Sequence, residues 1–317
     1  MAVSTPSRLG QKNEAGASDA LFLEVFSGLV LERFDFTQLT DDRQTVRVIK
    51  NGKSAQFPLI WSTAAKYHTP GVELIGDEIS HESKVISIEQ LLEADVFIDT
   101  LDEAMNHYEV RQPYAHQLGE ALANAKDTNS FRAVFVGAAA SHPITLATPE
   151  NDGLSIQTAA LSTTASLMKA ALYDVAQTFD EKNVPTTDRF CALLPLAWYL
   201  LLEDGEFIHR DFAGEGSKAH ATMPFAADIQ VLKSNNIPTA DDTGEATVPV
   251  VLRDDFRECV GVAWHRQAIG TVKLLDLKVE SEYDIRRQGT LFVAKYAIGQ
   301  DFLRTEACIS LEDTLIV

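Results

Sequence analysis

The sequence predicts an α+β chain. Three observations carry that expectation. Strand-like, β-branched segments flank a polar, turn-rich excursion between about Lys50 and Ser83. Two long stretches keep apolar residues at helical spacing, from Pro113 to about Ala140 and from Thr158 to Asp180. Strand-like segments then close the chain between Val272 and Leu311. With 317 residues, 45% apolar and 23% charged, the chain can bury a sizeable core. That length suits two or three compact domains, or one body with long extensions.

The elements follow in order. Residues 1–18 are small and polar, and no order is expected of them without a partner. Ser18 or Asp19 can cap a helix with Phe22, Val25, Phe26, Leu29 and Val30 at helical spacing. Thr45, Val46, Val48 and Ile49 favour a strand. In the excursion, Asn51-Gly52, Pro70-Gly71 and Gly76-Asp77 signal turns, while Ala55 to Trp61 and Lys84 to Ile88 read as strands. The result is a long two-stranded arm with a mobile tip. Such an arm buries little core and needs neighbours to hold it.

Residues 94–107 read as a strand end and a short helix around Leu101 to His107. Pro113 suits the first turn of a long helix. Leu118, Ala121, Leu122, Ala125, Phe131, Val134, Phe135 and Ala138 keep roughly one face of it, over about 40 Å. Asp127 to Ser130 weakens helix propensity, so the sequence allows a break there. Residues 142–157 read as a loop. The second helix carries Leu161, Met168, Ala171, Leu172, Val175 and Phe179 on one face, and Pro185 ends that region. Arg189 to Leu194 reads as a buried strand and Pro195 to Leu202 as a short helix. Ile229 to Leu232 and Thr247 to Leu252 read as further strands. Val272 to Val279, Leu291 to Ala297 and Thr305 to Leu311 read as antiparallel strands that return to the long helix.

Composition narrows the function classes. The balance of 27 basic and 46 acidic residues, net −19, argues against a protein that grips nucleic acid by its phosphates. An ordinary soluble acidic protein satisfies the same balance. No apolar stretch is long enough to cross a membrane as a helix, and the first residues have no signal-peptide character. Cys191, Cys259 and Cys308 are odd in number and far apart, which fits reduced, buried thiols in a cytosolic setting.

Catalytic motifs fail at named positions. Asn51-Gly52-Lys53-Ser54 ends like a phosphate-binding loop, but Arg47 stands where the pattern needs glycine. His81-Glu82 begins a zincin-like string whose second histidine is replaced by Val85. Gly214-Glu215-Gly216, followed by Ala219, lacks the buried strand that a dinucleotide fingerprint requires. Asp211, Asp241, Asp242, Asp254 and Asp255 match no calcium-loop spacing. His107, His265 and Cys191 lie in or beside apolar stretches and read as satisfied core residues rather than ligands. The sequence therefore predicts no catalytic residue, cofactor or metal.

Several ordered blocks resemble the major capsid proteins of T-seven-like short-tailed phages. They include Gly52-Lys53-Ser54-Ala55-Gln56-Phe57-Pro58, Lys84-Val85-Ile86-Ser87-Ile88 and Ala94-Asp95-Val96-Phe97-Ile98. The block from Glu103 to Arg111, continued by Gln117-Leu118-Gly119-Glu120, is the most specific. His265 to Leu274 and Ala294 to Gly299 close the series. The blocks span roughly residues 20–317 and are weakest between 130 and 257, where the chain is somewhat shorter than the family type.

The resemblance implies a Hong Kong 97-type capsid fold. Residues 1–45 would be its N-terminal arm, and 46–90 its extended loop with flanking strands. Residues 91–159 and 258–317 would form the peripheral domain with a long spine helix, and 160–257 the axial domain. It implies a virion shell protein, assembled in the host bacterial cytoplasm. Its partners would be itself, as hexamers and pentamers, scaffolding and portal proteins, and a cement or decoration protein. Double-stranded DNA would be packaged without sequence-specific binding. Lys53, Glu73, Glu78 and Glu82 in the extended loop are then candidates for contacts between subunits, against the reading of each as a solvated loop charge. At this stage an encapsulin-like compartment shell and a soluble α+β hydrolase with an unrecognised site stay open.

Overall fold

The computed structural model describes residues 39–60, 65, 67–71, 73, 76, 81–105, 111–142, 152–204 and 225–315. The strands are β1 (Thr45–Val48), β2 (Ser54–Ile60), β3 (His81–Ser87), β4 (Leu92–Asp99), β5 (Leu154–Gln157), β6 (Arg189–Leu193), β7 (Phe225–Ala226), β8 (Ile229–Lys233), β9 (Cys259–His265), β10 (Ile269–Asp284), β11 (Gly289–Phe302) and β12 (Cys308–Glu312). The helices are α1 (Thr100–Met105), α2 (Arg111–Ala139), α3 (Ala165–Glu181) and α4 (Pro195–Asp204). The chain groups into two units. The first takes its described residues from 90–126 and 274–298, the second from 39–89, 127–273 and 299–317.

In the first unit β4 runs antiparallel to β11, from Asp99 opposite Gly289 to Leu92 opposite Tyr296. This register places Val96 beside Phe292 and Ala94 beside Ala294 on one face. That face closes over Leu118 and Leu122 of α2, which are one helical turn apart. Gly289 is required by close approach: a Cβ there would come within 2.5 Å of the Ile98 carbonyl and into the Phe97 ring.

The second unit is organised by a six-stranded sheet in the order β5-β12-β9-β6-β8-β7. β6 pairs parallel with β8 and antiparallel with β9, and every residue of β6 and β9 is buried. Strands covered on both faces carry near-continuous apolar runs, which Arg189–Leu193 and Cys259–His265 do. Trp264 of β9 packs edge-on to Phe131 of α2, centroids 5.8 Å apart, and against Phe190 of β6. Its indole N–H donates to the Arg43 carbonyl at 3.0 Å, so this large core residue leaves no polar atom unpaired. α3 buries Met168, Ala171, Leu172, Val175 and Phe179 at helical spacing. It stops at Asn183, whose φ of 54° lets the Val184 N–H reach back to the Phe179 carbonyl.

Several expectations change. Residues 154–157, read as loop, form β5, which pairs parallel with β12. The helix predicted from Thr158 begins at Ala165, because the Asp313 carboxylate holds the N–H groups of Ala160 and Ser162 in a turn. Thr247 to Leu252 is no strand. Thr247 bonds back to Glu245, and Val250–Leu252 is one turn of 3-10 helix with Val250 and Val251 exposed. Cys308–Glu312 does return to the long helix, with the Cys308 thiol packed against Gly137, but it leaves β10 and β11 and lies between β5 and β9. α2 is unbroken at Asp127 to Ser130. The helix expected after Asp19 lies outside the described residues.

Candidate assembly surface

The excursion read from the sequence is a hairpin at its root. β2 and β3 form a two-stranded antiparallel ladder from Ser54 opposite Ser87 to Ile60 opposite His81. Strand alternation turns Ala55, Phe57 and Leu59 inward and leaves Ser54, Gln56, Pro58 and Ile60 exposed. Ala55, Phe57 and Ile86 share an apolar cluster with Val272 and Leu303. Pro58 carries no N–H, and such a residue is tolerated in a ladder this narrow.

The candidate contact residues distribute along this hairpin. Lys53 is exposed at the foot, where its carbonyl accepts the Ile88 N–H at 2.8 Å. Glu82 is exposed at the opposite end of the ladder, paired with Leu59. Glu73 is exposed in the tip. Glu78 lies outside the described residues. Among the described residues none of Lys53, Glu73 and Glu82 forms an ion pair, so the structure brings no two of them together.

Residues that the sequence did not single out hold the hairpin in place. The Lys84 ammonium lies 3.0 Å from a carboxylate oxygen of Asp301 and 3.8 Å from the centre of the Phe302 ring. Asp301 is buried; desolvation pushes its carboxyl above the usual aspartate range, and Lys84 pulls it partly back. Arg47 stacks over the Phe57 ring and donates to the Gln56 carbonyl. Gly299 admits the hairpin's end, since a Cβ there would lie 2.5 Å from the Ser87 carbonyl.

A second anchor lies at the entry of the described chain. Asp127 of α2 accepts the backbone N–H groups of Leu39 (2.9 Å) and Thr40 (3.2 Å) and the Thr40 hydroxyl (2.5 Å). Ser130 accepts from the Gln300 amide at 2.6 Å, and Thr271 donates to Gln44 at 2.7 Å. The side chains of Thr40, Gln44, Asp127, Ser130, Thr271 and Gln300 are all buried, and their hydrogen bonds are what makes that burial tolerable. The only trace of this anchor in the sequence is the drop in helix propensity at Asp127 to Ser130.

The near-motifs resolve into structural roles. Gly52 has a φ of 115° and leads into a strand, not a helix. His81 and Glu82 are strand residues, whereas the zincin pattern needs a helix. Asp242 takes a two-pronged contact from Arg132 at 2.6 and 3.0 Å, and Asp255 pairs with Arg257. Among the described residues no group of three His, Cys, Asp or Glu side chains is placed to hold a metal ion. His265 is buried, with its Nδ1 accepting the Gln267 N–H. Burial pushes the Cys191 thiol up to about 12, which makes it a poor nucleophile. His107 and the Gly214 to Ala219 segment lie outside the described residues.

Comparison with known proteins gives consistent matches. The family described as Gp10A-like, major capsid protein, matches residues 56–312. The chain is 36% identical to the major capsid protein of Escherichia phage T7, with 92% of each covered. It is 37% identical to that of Enterobacteria phage T3, covering 94% of this chain and 93% of the relative. A chain in the capsid structure of the Cyanophage P-SCSP1u, 35% identical, matches with a TM-score of 0.80 over 99% of both.

Proposed function

The chain belongs to the Gp10A-like family of major capsid proteins, and from that membership we propose that its copies form the hexamers and pentamers of an icosahedral phage head enclosing double-stranded DNA. It is a structural protein of a phage shell, with the Hong Kong 97-type α+β fold. The observation that carries the finer reading is the β2–β3 hairpin. It is a narrow ladder with an exposed outer face and little core of its own, suited to lie across a neighbour.

In this reading residues 1–45 are the N-terminal arm and 46–90 the extended loop with its flanking strands. Residues 91–159 and 258–317 are the peripheral domain with α2 as spine, and 160–257 the axial domain. β5, β9 and β12 complete the sheet to which residues 160–257 contribute β6, β7 and β8. Lys53, Glu73, Glu78 and Glu82 are contacts of the loop with the next subunit. Each contact is weak alone, because ordering a loop on a neighbour costs entropy, and weak contacts let assembly correct errors. A net charge of −19 keeps the shell from gripping a genome that must enter and leave. Scaffolding, portal and cement proteins complete the partners, with assembly in the host bacterial cytoplasm.

The test is imaging of assembled material made with the scaffold. Regular angular shells support the proposal; a protein that stays monomeric or dimeric with its scaffold refutes it. Deleting Asn51 to His81 leaves a folded, soluble body in this reading and abolishes shells. Normal shells from that deletion remove the role given to the loop.

A further inference from the structure

A pocket of about 320 Å³ opens within the second unit, where three separate stretches of chain meet. Ile60, the last residue of β2 and 58% exposed, lines one part of it. Val184 and Pro185, just past α3, add apolar lining. Lys182 and Arg304 add charge. The Lys182 ammonium is half-buried and donates to the Asp152 carbonyl at 2.6 Å, its one hydrogen bond among the described residues. Burial pushes it below the ordinary lysine range, and Glu306, ahead of Cys308 and Asp152, pulls it partly back. It is short of acceptors to replace its lost hydration. Arg304 lies 3.3 Å from Oε1 of Glu306, and its side chain is 40% exposed against 9% for Glu306. Oε2 of Glu306 faces His142 at 3.1 Å. The carboxylate is thus held inward, while the guanidinium keeps donors toward the open side.

These groups select a ligand. Lys182, Arg304 and Glu306 sum to +1, counting His265 in the lining as neutral, in a chain of net charge −19. A local cationic site in an acidic protein attracts a single anion. A carboxylate presents two oxygens, which a guanidinium takes in parallel and an ammonium can share. The apolar lining suits a short hydrocarbon stem beside that carboxylate. Phosphate fits less well, because it brings more charge than the site offsets and gains nothing from Ile60, Val184 and Pro185. The volume lies near the lower end of ligand pockets, about 300 Å³, and suits one small acid or one acidic side chain.

We propose that this pocket binds a carboxylate on a short apolar stem, with Arg304 and Lys182 on its oxygens and Ile60 against its stem. A free small acid and a glutamate side chain of another protein carry the same group. Because Ile60 ends β2, an occupied pocket ties the hairpin to the body of its own subunit. The binding does not depend on the shell reading. Thermal melting of the unassembled full chain tests it, with isovalerate as the free acid and N-acetylglutamate α-amide as the side-chain mimic, at ionic strength matched with sodium chloride. At about tenfold over its dissociation constant, the better probe is expected to raise the melting temperature by about 3 °C. Isovaleramide, of the same shape but uncharged, gives no shift. R304Q alters a side chain that is 40% exposed, so without ligand it melts within about 2 °C of wild type. It loses the response to the probe, and K182M loses it too. A stronger response to isovalerate names a free acid as the source, and a stronger response to the blocked glutamate names a protein side chain. Slower amide exchange at Leu59 and Ile60 on binding checks the tie to the hairpin, and unchanged exchange removes that tie. No shift from either probe overturns the proposal. An equal shift from isovaleramide shows an apolar additive only and overturns it, as does a shift that survives in R304Q.

Discussion

The Asp127 carboxylate, midway along α2, accepts both the backbone N–H and the hydroxyl of Thr40, at 3.2 and 2.5 Å, and both residues are buried. Eighty-seven positions apart in sequence, the two residues tie the start of the described chain to the long helix. A charged acceptor with three donors in a dry site is worth more than its count of bonds, because each donor left behind pays its full desolvation penalty.

Replacing Asp127 with Ala strands the Leu39 and Thr40 donors. D127A is expected to lower subunit stability by about 3 kcal/mol, and D127N, which keeps one acceptor, by about half that. Urea unfolding reads this as a shifted midpoint with an unchanged slope. An unmoved midpoint in D127A would remove the anchor.

The Lys84–Asp301 pair behaves differently with pH. Burial raises the Asp301 carboxyl, so its contribution to stability is full below the ordinary aspartate range and is lost as pH rises through the higher folded value. Lys84 limits that loss by compensating the ionised form. K84M is therefore expected to cost about 3 kcal/mol at pH 8 and distinctly less in mild acid, where Asp301 takes up a proton. Combining it with D301N should recover most of the stability. Equal losses at both pH values, by chemical denaturation, would contradict the pairing.

Asp313 supplies the opposite limb. Burial pushes its carboxyl up, but hydrogen bonds from Ser162, Leu315 and Ala160 outweigh this and hold it below the ordinary value. Its contribution is present above the unfolded aspartate range and disappears as pH falls through the folded value. D313N should flatten the acid side of the stability profile and cost about 1–2 kcal/mol at neutral pH. Calorimetry from about pH 3 to about pH 7, the span in which carboxylates titrate, reads both effects.

The loop charges separate folding from assembly. K53E and E82R change exposed side chains without ion pairs among the described residues, so unfolding should move by no more than about 0.5 kcal/mol. Shell yield should fall in each. A yield unchanged in both variants would leave Lys53 and Glu82 as solvated charges.

Local pattern carried much of the fold. The helical spacing from Leu118 to Ala138 and from Met168 to Phe179 reports faces that the structure does bury. Asn51-Gly52 lies where β1 gives way to β2, and Pro70-Gly71 and Gly76 lie between β2 and β3. Cys259–His265 escaped because a strand buried on both faces shows no alternation, and it is too short to announce itself otherwise. Asp127 and Ser130 looked like a weakness in a helix because propensity is blind to a partner far along the chain.

By itself the sequence determined the α+β class, the hairpin, the long helix and, through its ordered blocks, the capsid family. Those features depend on neighbours within a few residues or on strings of identity, and both are written along the chain. Only the tertiary structure decided that β9 lies inside the six-stranded sheet, that β12 joins it, and that Thr40, Lys84 and Asp313 find Asp127, Asp301 and Ser162. Those pairings join residues 87, 217 and 151 positions apart, counting 301 less 84 for the second. Burial in a packed core selects such partners, and no local period encodes them.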